Sequence, residues 1–161
     1  MSSVAKYTPM KNAHKLPGSL VGVAGEYFVA AELSRRGYVA SITLRNTNGI
    51  DILVSNANAS KSAGIQVKAK QGKSRDWILR DKAEQFFSAT LFYVFVNLKD
   101  RDSRPDFFVV PSKVVAAHAK KYHALWLSTP GKKEQQHKDN PMRKFHDKEG
   151  EYLERWDLLG L

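Results

Sequence analysis

The chain contains no cysteine. It can therefore form no disulfide bond and bind no metal through sulfur, and we expect a reducing compartment, the cytoplasm. The histidines do not predict a zinc site either, because no two of them are spaced to lie on a common helix face as ligands. The longest apolar run, residues 91–96, is far shorter than the ~20 residues that cross a bilayer. Residues 1–17 lack the apolar segment of a signal peptide, so we expect none. The sequence also has no long basic amphipathic helix with a broad apolar face, so we predict no membrane partner.

Acidic residues are scarce relative to basic ones. The 16 Asp and Glu residues face 26 Lys and Arg residues, a formal net charge of +10. Such a surplus favours a polyanionic partner, because each phosphate that a cation contacts releases condensed counterions. The expected partner is DNA, although charge alone does not separate a nuclease from a protein that only binds nucleic acid.

The order of apolar and turn-forming segments indicates an α/β protein. Ser19 is expected to cap a helix that ends at Gly37. Short strands, helices and one long polar loop follow, and their alternation is typical of a sandwich with a mixed sheet. The predicted strands cover residues 39–44, 50–54, 64–70, 77–79, 91–98 and 107–110. The predicted helices cover residues 81–89, 113–121 and 152–161, with the loop at residues 129–142.

The length of 161 residues fits a single domain. Within it we expect a loose basic arm at residues 1–18 and a core at residues 19–98. A C-terminal extension, residues 99–161, would add a strand, a helix and a basic loop.

Polar side chains interrupt two of the predicted strands. Asp51 points away from its apolar neighbours, and Gln66 shares one strand face with Lys68, because side chains alternate along a strand. If the two strands form a hairpin, these three residues converge at one edge of the sheet. Carboxylate and amide oxygens suit a hard cation, and a nearby lysine can stabilise negative charge on a phosphate.

An acid on the first helix also needs a reason for its position. Glu26 shares a helix face with Gly22, Val29 and Leu33, so it is expected to point toward the body of the protein. A buried carboxylate is costly unless it is paired or bound to a metal. Gly22 and Gly25 would let this helix approach a strand closely.

These segments together resemble the PD-(D/E)xK nucleases, a superfamily that includes restriction endonucleases and Holliday-junction resolvases. The segments are Gly25-Glu26, Gly49-Ile50-Asp51 and Gln66-Val67-Lys68. The form with Asp followed by Gln-x-Lys is most similar to the Mrr-type, Holliday-junction-resolvase-like branch. The resemblance spans residues 19–95, and the C-terminal part lies outside it.

The resemblance implies a restriction-endonuclease-like αβββαβ core, whose mixed central sheet is flanked by helices, and DNA cleavage that depends on Mg²⁺ or Mn²⁺. It implies that Asp51, Gln66 and Glu26 would be metal ligands and that Lys68 would complete the catalytic set. Gln66 stands where a carboxylate is commoner in the family, which lowers the negative charge of the site. The same variant resembles that of active relatives.

Basic and amide side chains outside this set are candidates for DNA contacts, and each of them is equally compatible with ordinary surface charge. The candidates are Lys70, Gln71, Lys73, Arg75, Lys132, Lys133, Arg143 and Lys144. Two functions remain open at this point. One is a metal-dependent endonuclease acting on duplex or branched DNA in restriction, defence or repair, and a homodimer is expected if it makes flush cuts. The alternative is an inactive nuclease fold that serves as a nucleic-acid-binding or assembly module.

Overall fold

The computed structural model describes residues 15–44 and 49–161. Two α-helices and seven strands are found in these residues, together with two short 3₁₀ helices, Asp81–Glu84 and Trp156–Leu159. The α-helices are α1 (Gly18–Arg35) and α2 (Ser112–Ser128). The strands are β1 (Val39–Ile42), β2 (Ile52–Ser55), β3 (Ser62–Gln71), β4 (Asp76–Arg80), β5 (Leu91–Leu98), β6 (Asp106–Pro111) and β7 (Met142–His146).

A mixed sheet in the order β1-β2-β3-β5-β6 occupies the centre. Strands β3 and β5 are parallel, and the other neighbours are antiparallel. Strands β4 and β7 form a separate antiparallel pair. The predicted α/β class with a mixed central sheet is therefore confirmed.

Alternation along the strands produces two apolar cores, one on each side of the sheet. On one side, α1 buries its apolar residues against odd-numbered positions of β3 and even-numbered positions of β5. This first core includes Val29, Leu33, Ile65, Val67 and Val94. On the other side, α2 and the β4–β7 pair enclose an aromatic core. It includes Trp77, Tyr93, Phe95, Phe108 and Phe145.

Helix α1 lies directly on β3 at Gly25. A Cβ atom at this position would overlap the Cβ of Ala69. Glycine is thus required by the distance between the two backbones, as the sequence suggested. At the other end, α1 stops at Arg35 and Gly37 follows with a φ of 87°, the left-handed conformation of a helix terminator.

Several predicted elements differ from those observed. Ser19 lies inside α1, and the N-cap is Pro17, which provides no side-chain cap. The helix expected at residues 81–89 is only the 3₁₀ helix Asp81–Glu84. The chain leaves helical geometry beyond it because the backbone of Ser88 exchanges two hydrogen bonds with the hydroxyl of Ser112.

The C-terminal extension also has more regular structure than expected. Helix α2 continues to Ser128, well beyond residue 121. Strand β7 follows the polar loop and pairs with β4. Its Arg143 and Phe145 side chains are buried, while those of their neighbours in the strand are not. The helix predicted at residues 152–161 is reduced to the 3₁₀ helix Trp156–Leu159, which packs on the first core.

The basic arm predicted for residues 1–18 lies mostly outside the described residues. Its last part includes Leu16, which packs against the first core and donates its backbone N–H to Oε1 of Gln71 at 2.7 Å. Within residues 15–44 and 49–161, none of the helices has the length and apolar character needed to cross a membrane.

Candidate active site

Asp51 lies at the entrance to β2, where the β2–β3 hairpin fixes its position. Its backbone N–H donates to the carbonyl oxygen of Ile65 at 2.8 Å. Since Ile52 pairs with Ile65 in the antiparallel register, one step further places Asp51 opposite Gln66. The carboxylate Oδ2 atom accepts a hydrogen bond of 2.7 Å from the backbone N–H of Val67. Backbone contacts on both sides therefore hold this carboxylate at the strand edge.

Gln66 and Lys68 project from β3 on the face opposite α1. Their partners in the parallel β3–β5 register are Tyr93 and Phe95, which belong to the second core. Asp51 shares this face, because Ile52 beside it packs in the first core. Asp51, Gln66 and Lys68 are thus brought to one side of the sheet.

The Gln66 side chain is buried, with 7% of its surface exposed. Among residues 15–44 and 49–161, we find no hydrogen bond that engages its amide group. An amide oxygen is a ligand that a hard cation can use.

Lys68 is half-buried, and its environment is mixed in charge. Burial lowers the pKa of its ammonium group. The carboxylate of Asp51 opposes this effect, the ammonium of Lys82 adds to it, and the carboxylate of Glu26 opposes it. Two acids and a second lysine therefore act on Lys68 through space.

Glu26 reaches the site from the other layer of the fold. It is half-buried on α1, next to Gly25, where helix and strand are in contact. Its carboxylate is near enough to Lys68 to raise that residue's pKa. The first-helix acid thus contributes to the electrostatics of the site, although it lies on the helix that covers the opposite sheet face.

Two further residues belong to this environment and were missed in the sequence. Tyr93, with 1% of its surface exposed, has its pKa raised to about 12 by burial and by the charge of Asp51. Lys82 lies on the 3₁₀ helix that follows β4. Tyr93 could not be recognised without knowing that β5 runs parallel beside β3. Lys82 gave no signal, because it lies in a polar segment.

The oxygen-rich donor set fits a small hard cation only if other ligands complete it. In the part of the chain that the structure describes, no group of three or more His, Cys, Asp and Glu side chains could hold a metal. Mg²⁺ is usually held by one or two carboxylates, with waters and substrate phosphates filling the remaining positions. One carboxylate at Asp51, one amide at Gln66 and a second acid at Glu26 are compatible with that mode.

A cavity of about 430 Å³ opens beside this set, on the same sheet face. Leu53 and Gly64 form its floor, and Phe86 and Phe87 form part of its wall. Phe86 also packs against Gly49, two residues before Asp51. Asp51, Gln66 and Lys68 are not among its lining residues, so this partly apolar recess neighbours the candidate site without forming part of it.

The residues predicted to follow β3 into a DNA interface have different environments. The Lys70 ammonium donates to Ser74 Oγ and, at 2.6 Å, to the carbonyl oxygen of Asp76. Gln71 accepts the hydrogen bond from Leu16. Lys73 and Arg75 are exposed. Of this group, Lys73 and Arg75 are the cations best placed to meet a phosphate.

The DNA contacts predicted in the C-terminal extension also differ in exposure. Lys132 and Lys133 are exposed in the loop before β7, and Lys144 is half-buried on β7. Arg143 requires a correction: it is 8% exposed, its Nε atom pairs with Glu84, and its Nη1 atom donates to the carbonyl oxygens of Asn140 and Met142. Because its donors are already used inside the protein, we remove Arg143 from the interface.

Comparison with known proteins identifies two solved structures of similar fold. The bacterial homing endonuclease I-Ssp6803I aligns with a TM-score of 0.51 at 16% identity, covering 88% of this chain and 91% of the endonuclease. A Holliday junction resolvase from the archaeal hyperthermophile Archaeoglobus fulgidus aligns with a TM-score of 0.46 at 16% identity, covering 82% and 88%. No family model and no curated protein sequence matches the chain. The likeness to the homing endonuclease shows a shared fold, and this fold agrees with the restriction-endonuclease-like α/β core expected from the sequence.

Proposed function

We propose that the protein is a metal-dependent endonuclease that hydrolyses DNA phosphodiester bonds. The observation that carries this proposal is the placement of Asp51, Gln66 and Lys68 on one face of the β2–β3 hairpin, within a nuclease fold. The net charge of +10 supports a polyanionic substrate. We propose that the chain acts as one domain, in the cytoplasm, on duplex or branched DNA during restriction, defence or repair.

In this proposal Asp51, Gln66 and Glu26 hold Mg²⁺ or Mn²⁺. When bound, the cation would polarise the phosphoryl oxygen and lower the pKa of a coordinated water. The chain's own contribution is to fix the ligands. Val67 orients the carboxylate of Asp51, and burial keeps Gln66 in place. Such anchoring reduces the reorganisation that the reaction would otherwise require.

Lys68 provides a positive charge that interacts with Asp51 and Glu26. Its ammonium would donate hydrogen bonds to the phosphate oxygens as negative charge accumulates in the transition state. Burial lowers its pKa, so its proton is held less strongly than that of an exposed lysine. The neighbouring acids, Asp51 and Glu26, favour the charged form.

The test is incubation of the purified protein with plasmid, single-stranded and branched DNA in Mg²⁺ or Mn²⁺, beside the Lys68→Ala protein. We expect cleavage by the wild type and loss of cleavage in the variant. If the folded wild type cuts no form of DNA and binds neither ion by calorimetry, the enzyme proposal fails. DNA binding without cleavage would then identify a nucleic-acid-binding or assembly module. A homodimer is expected if both strands are cut together, and sedimentation would measure it.

A further inference from the structure

A second depression, with a volume of about 410 Å³, lies away from the hairpin site. Residues after β3, at the start of β4 and around the end of β7 form its lining: Lys73, Arg75, Asp76, His146 and Lys148. It opens where the small β4–β7 sheet begins, since Asp76 pairs with His146 in that sheet. The recess is therefore built jointly by the segment after β3 and by the C-terminal extension.

The charge of this depression is positive. Lys73, Arg75 and Lys148 contribute cations, and all three are exposed. The Asp76 carboxylate is balanced by Lys70, whose Nζ atom lies 3.3 Å from Oδ1. A hydrogen bond from Ser74, together with Lys70, lowers the pKa of Asp76. The carboxylate is therefore already paired, and the three cations remain to attract an anion.

His146 adds an aromatic wall and no charge near neutral pH. Burial lowers its pKa, and Lys144, Lys148 and Lys70 lower it further, against the opposing effect of Asp76. Its backbone N–H donates to Nε2 of His118 at 3.2 Å. The wall is thus held by contacts inside the protein.

Hydrogen bonds fix the cationic side of the recess in advance. Nη1 of Arg75 donates to the carbonyl oxygen of Lys148 at 3.0 Å, and the guanidinium lies against Gly150. The backbone N–H of Asp147 donates to the carbonyl oxygen of Arg75 at 3.0 Å. The buried Asp147 carboxylate accepts the N–H groups of the turn that follows, at Glu151 and Tyr152. The Arg75 guanidinium and the backbone at Lys148 are therefore positioned without a ligand.

We propose that this depression binds a phosphate of the DNA backbone outside the centre of cleavage, with Arg75, Lys73 and Lys148 as its donors. The guanidinium offers paired N–H groups to two phosphate oxygens, and the lysines add charge and hydrogen bonds. The inference rests on the proposed function. From Lys68 to the end of β3 at Gln71 the strand advances about 10 Å, at ~3.3 Å per residue. The depression begins two residues beyond that point, at Lys73, so we expect DNA on the hairpin site to place a neighbouring phosphate in it.

The experiment compares Lys73→Gln/Lys148→Gln with a control that removes equal charge elsewhere, Lys113→Gln/Lys120→Gln on the exposed face of α2. DNA affinity is measured by fluorescence anisotropy over a range of salt concentrations, without divalent cations so that no cleavage occurs. We expect tenfold or greater weakening for the first protein. Its log–log salt slope should be shallower by about 1, since each phosphate contact contributes roughly 0.9. The control should change little, and circular dichroism checks that both proteins are folded.

The result separates this site from the proposed enzyme activity. Equal affinity and slope in the two double variants would overturn the phosphate site, whether or not the wild type cuts DNA. Weakened binding in the first variant alone, together with a wild type that cuts nothing, would retain the site and reject the nuclease. Ethylation interference on a DNA fragment provides a second readout, because the first variant should lose sensitivity at one phosphate only. Unchanged interference would contradict the proposal.

Discussion

Substitutions of Lys68 and Asp51 are expected to affect different steps, because the surroundings of the two side chains suit them to different roles. Asp51 is anchored by Val67 at the strand edge and provides the anionic oxygens of the site. Lys68 lies beside it as a partly desolvated cation. A ligand acts before the chemical step, whereas a charge that stabilises the transition state acts during it.

We predict that Asp51→Ala abolishes both divalent-cation binding at this site and cleavage. Lys68→Ala should leave affinity for metal and DNA within a few-fold of wild type while lowering turnover by ~10²–10³ or more, the usual effect of losing one such donor. Calorimetry measures metal binding, and single-turnover cleavage measures the chemical step. If Lys68→Ala weakened metal binding as much as Asp51→Ala, the division of roles would be wrong.

Gln66 provides a separate test, since its amide is neutral where the related nucleases more often have a carboxylate. Gln66→Glu should keep or raise the affinity for Mg²⁺, because it adds an anionic oxygen to Asp51 and Glu26. The size of Glu matches that of Gln, so the buried position should tolerate it once the cation is bound. The matched control is Gln66→Met, which fills the same volume without an oxygen and should weaken the ion. Calorimetric titration of both variants is the measurement, and equal affinities would exclude Gln66 as a ligand.

At the scale of elements, the contact between α1 and β3 determines where Glu26 lies. Gly25 allows the helix backbone to rest on Ala69, one residue from Lys68 and on the opposite sheet face. An added methyl group here must push helix and strand apart, because its neighbour is itself a rigid Cβ atom. The same displacement would move Glu26 away from Lys68.

Gly25→Ala should therefore lower the free energy of unfolding by about 1–3 kcal/mol, the usual cost of overpacking. Gly22→Ala is the matched control: a Cβ there meets nothing within 4 Å, so helix propensity should raise stability by about 0.5–1 kcal/mol. Urea denaturation measures both. Gly25→Ala/Ala69→Gly should recover part of the loss, since it restores the space. Equal effects at the two glycines would show that packing does not set this contact.

Periodicity in the sequence was sufficient for α1, for the β2–β3 hairpin and for the shared face of Gln66 and Lys68, because local alternation determines these features. It was insufficient wherever a distant partner decides the outcome. The helical segment ends after Glu84 because Ser88 bonds to Ser112, a residue 24 positions further along the chain. Strand β7 exists because the charged Arg143 can be buried beside Glu84, a pairing that no local pattern reveals.

At the scale of the whole molecule, ion pairs join the C-terminal extension to the first helix. Glu32, 6% exposed, accepts contacts from Arg36 at 3.0 Å and Arg104 at 2.9 Å. Glu154 pairs with the same two arginines, at 3.3 Å and 2.7 Å, and accepts the indole N–H of Trp156 at 2.9 Å. Arg36 and Arg104 thus each bridge the two acids, and Arg35 adds a third arginine to Glu32 at 3.2 Å. These ion pairs therefore connect the C-terminal extension to the end of α1.

On the other side of the sheet, where α2 packs against β7, two histidines that are neutral near pH 7 are in contact: His118 and His146. Burial lowers the pKa of His118 and of His146, and nearby lysines lower both further. Nε2 of His118 accepts the backbone N–H of His146, so protonation at that atom would remove the acceptor and place two donors against each other. The rings lie 5.7 Å apart, close enough for two positive charges to repel.

A pH dependence of stability follows from these two histidines. A histidine whose pKa is lower in the folded state binds protons more readily in the unfolded chain, so its contribution to stability is present above pH ~6.5 and is lost as pH falls through that value. We therefore expect the free energy of unfolding to decrease between pH 7.5 and pH 5.5, a window in which most carboxylates stay ionised.

His118→Gln/His146→Gln should flatten the decrease, since glutamine at position 118 can accept the hydrogen bond from the backbone N–H of residue 146 without titrating. Urea denaturation at several pH values measures both slopes. His137→Gln, at a histidine that stacks on Trp126 outside this pair, is the control and should keep the wild-type slope. If the double variant kept that slope as well, the dependence would arise from other groups.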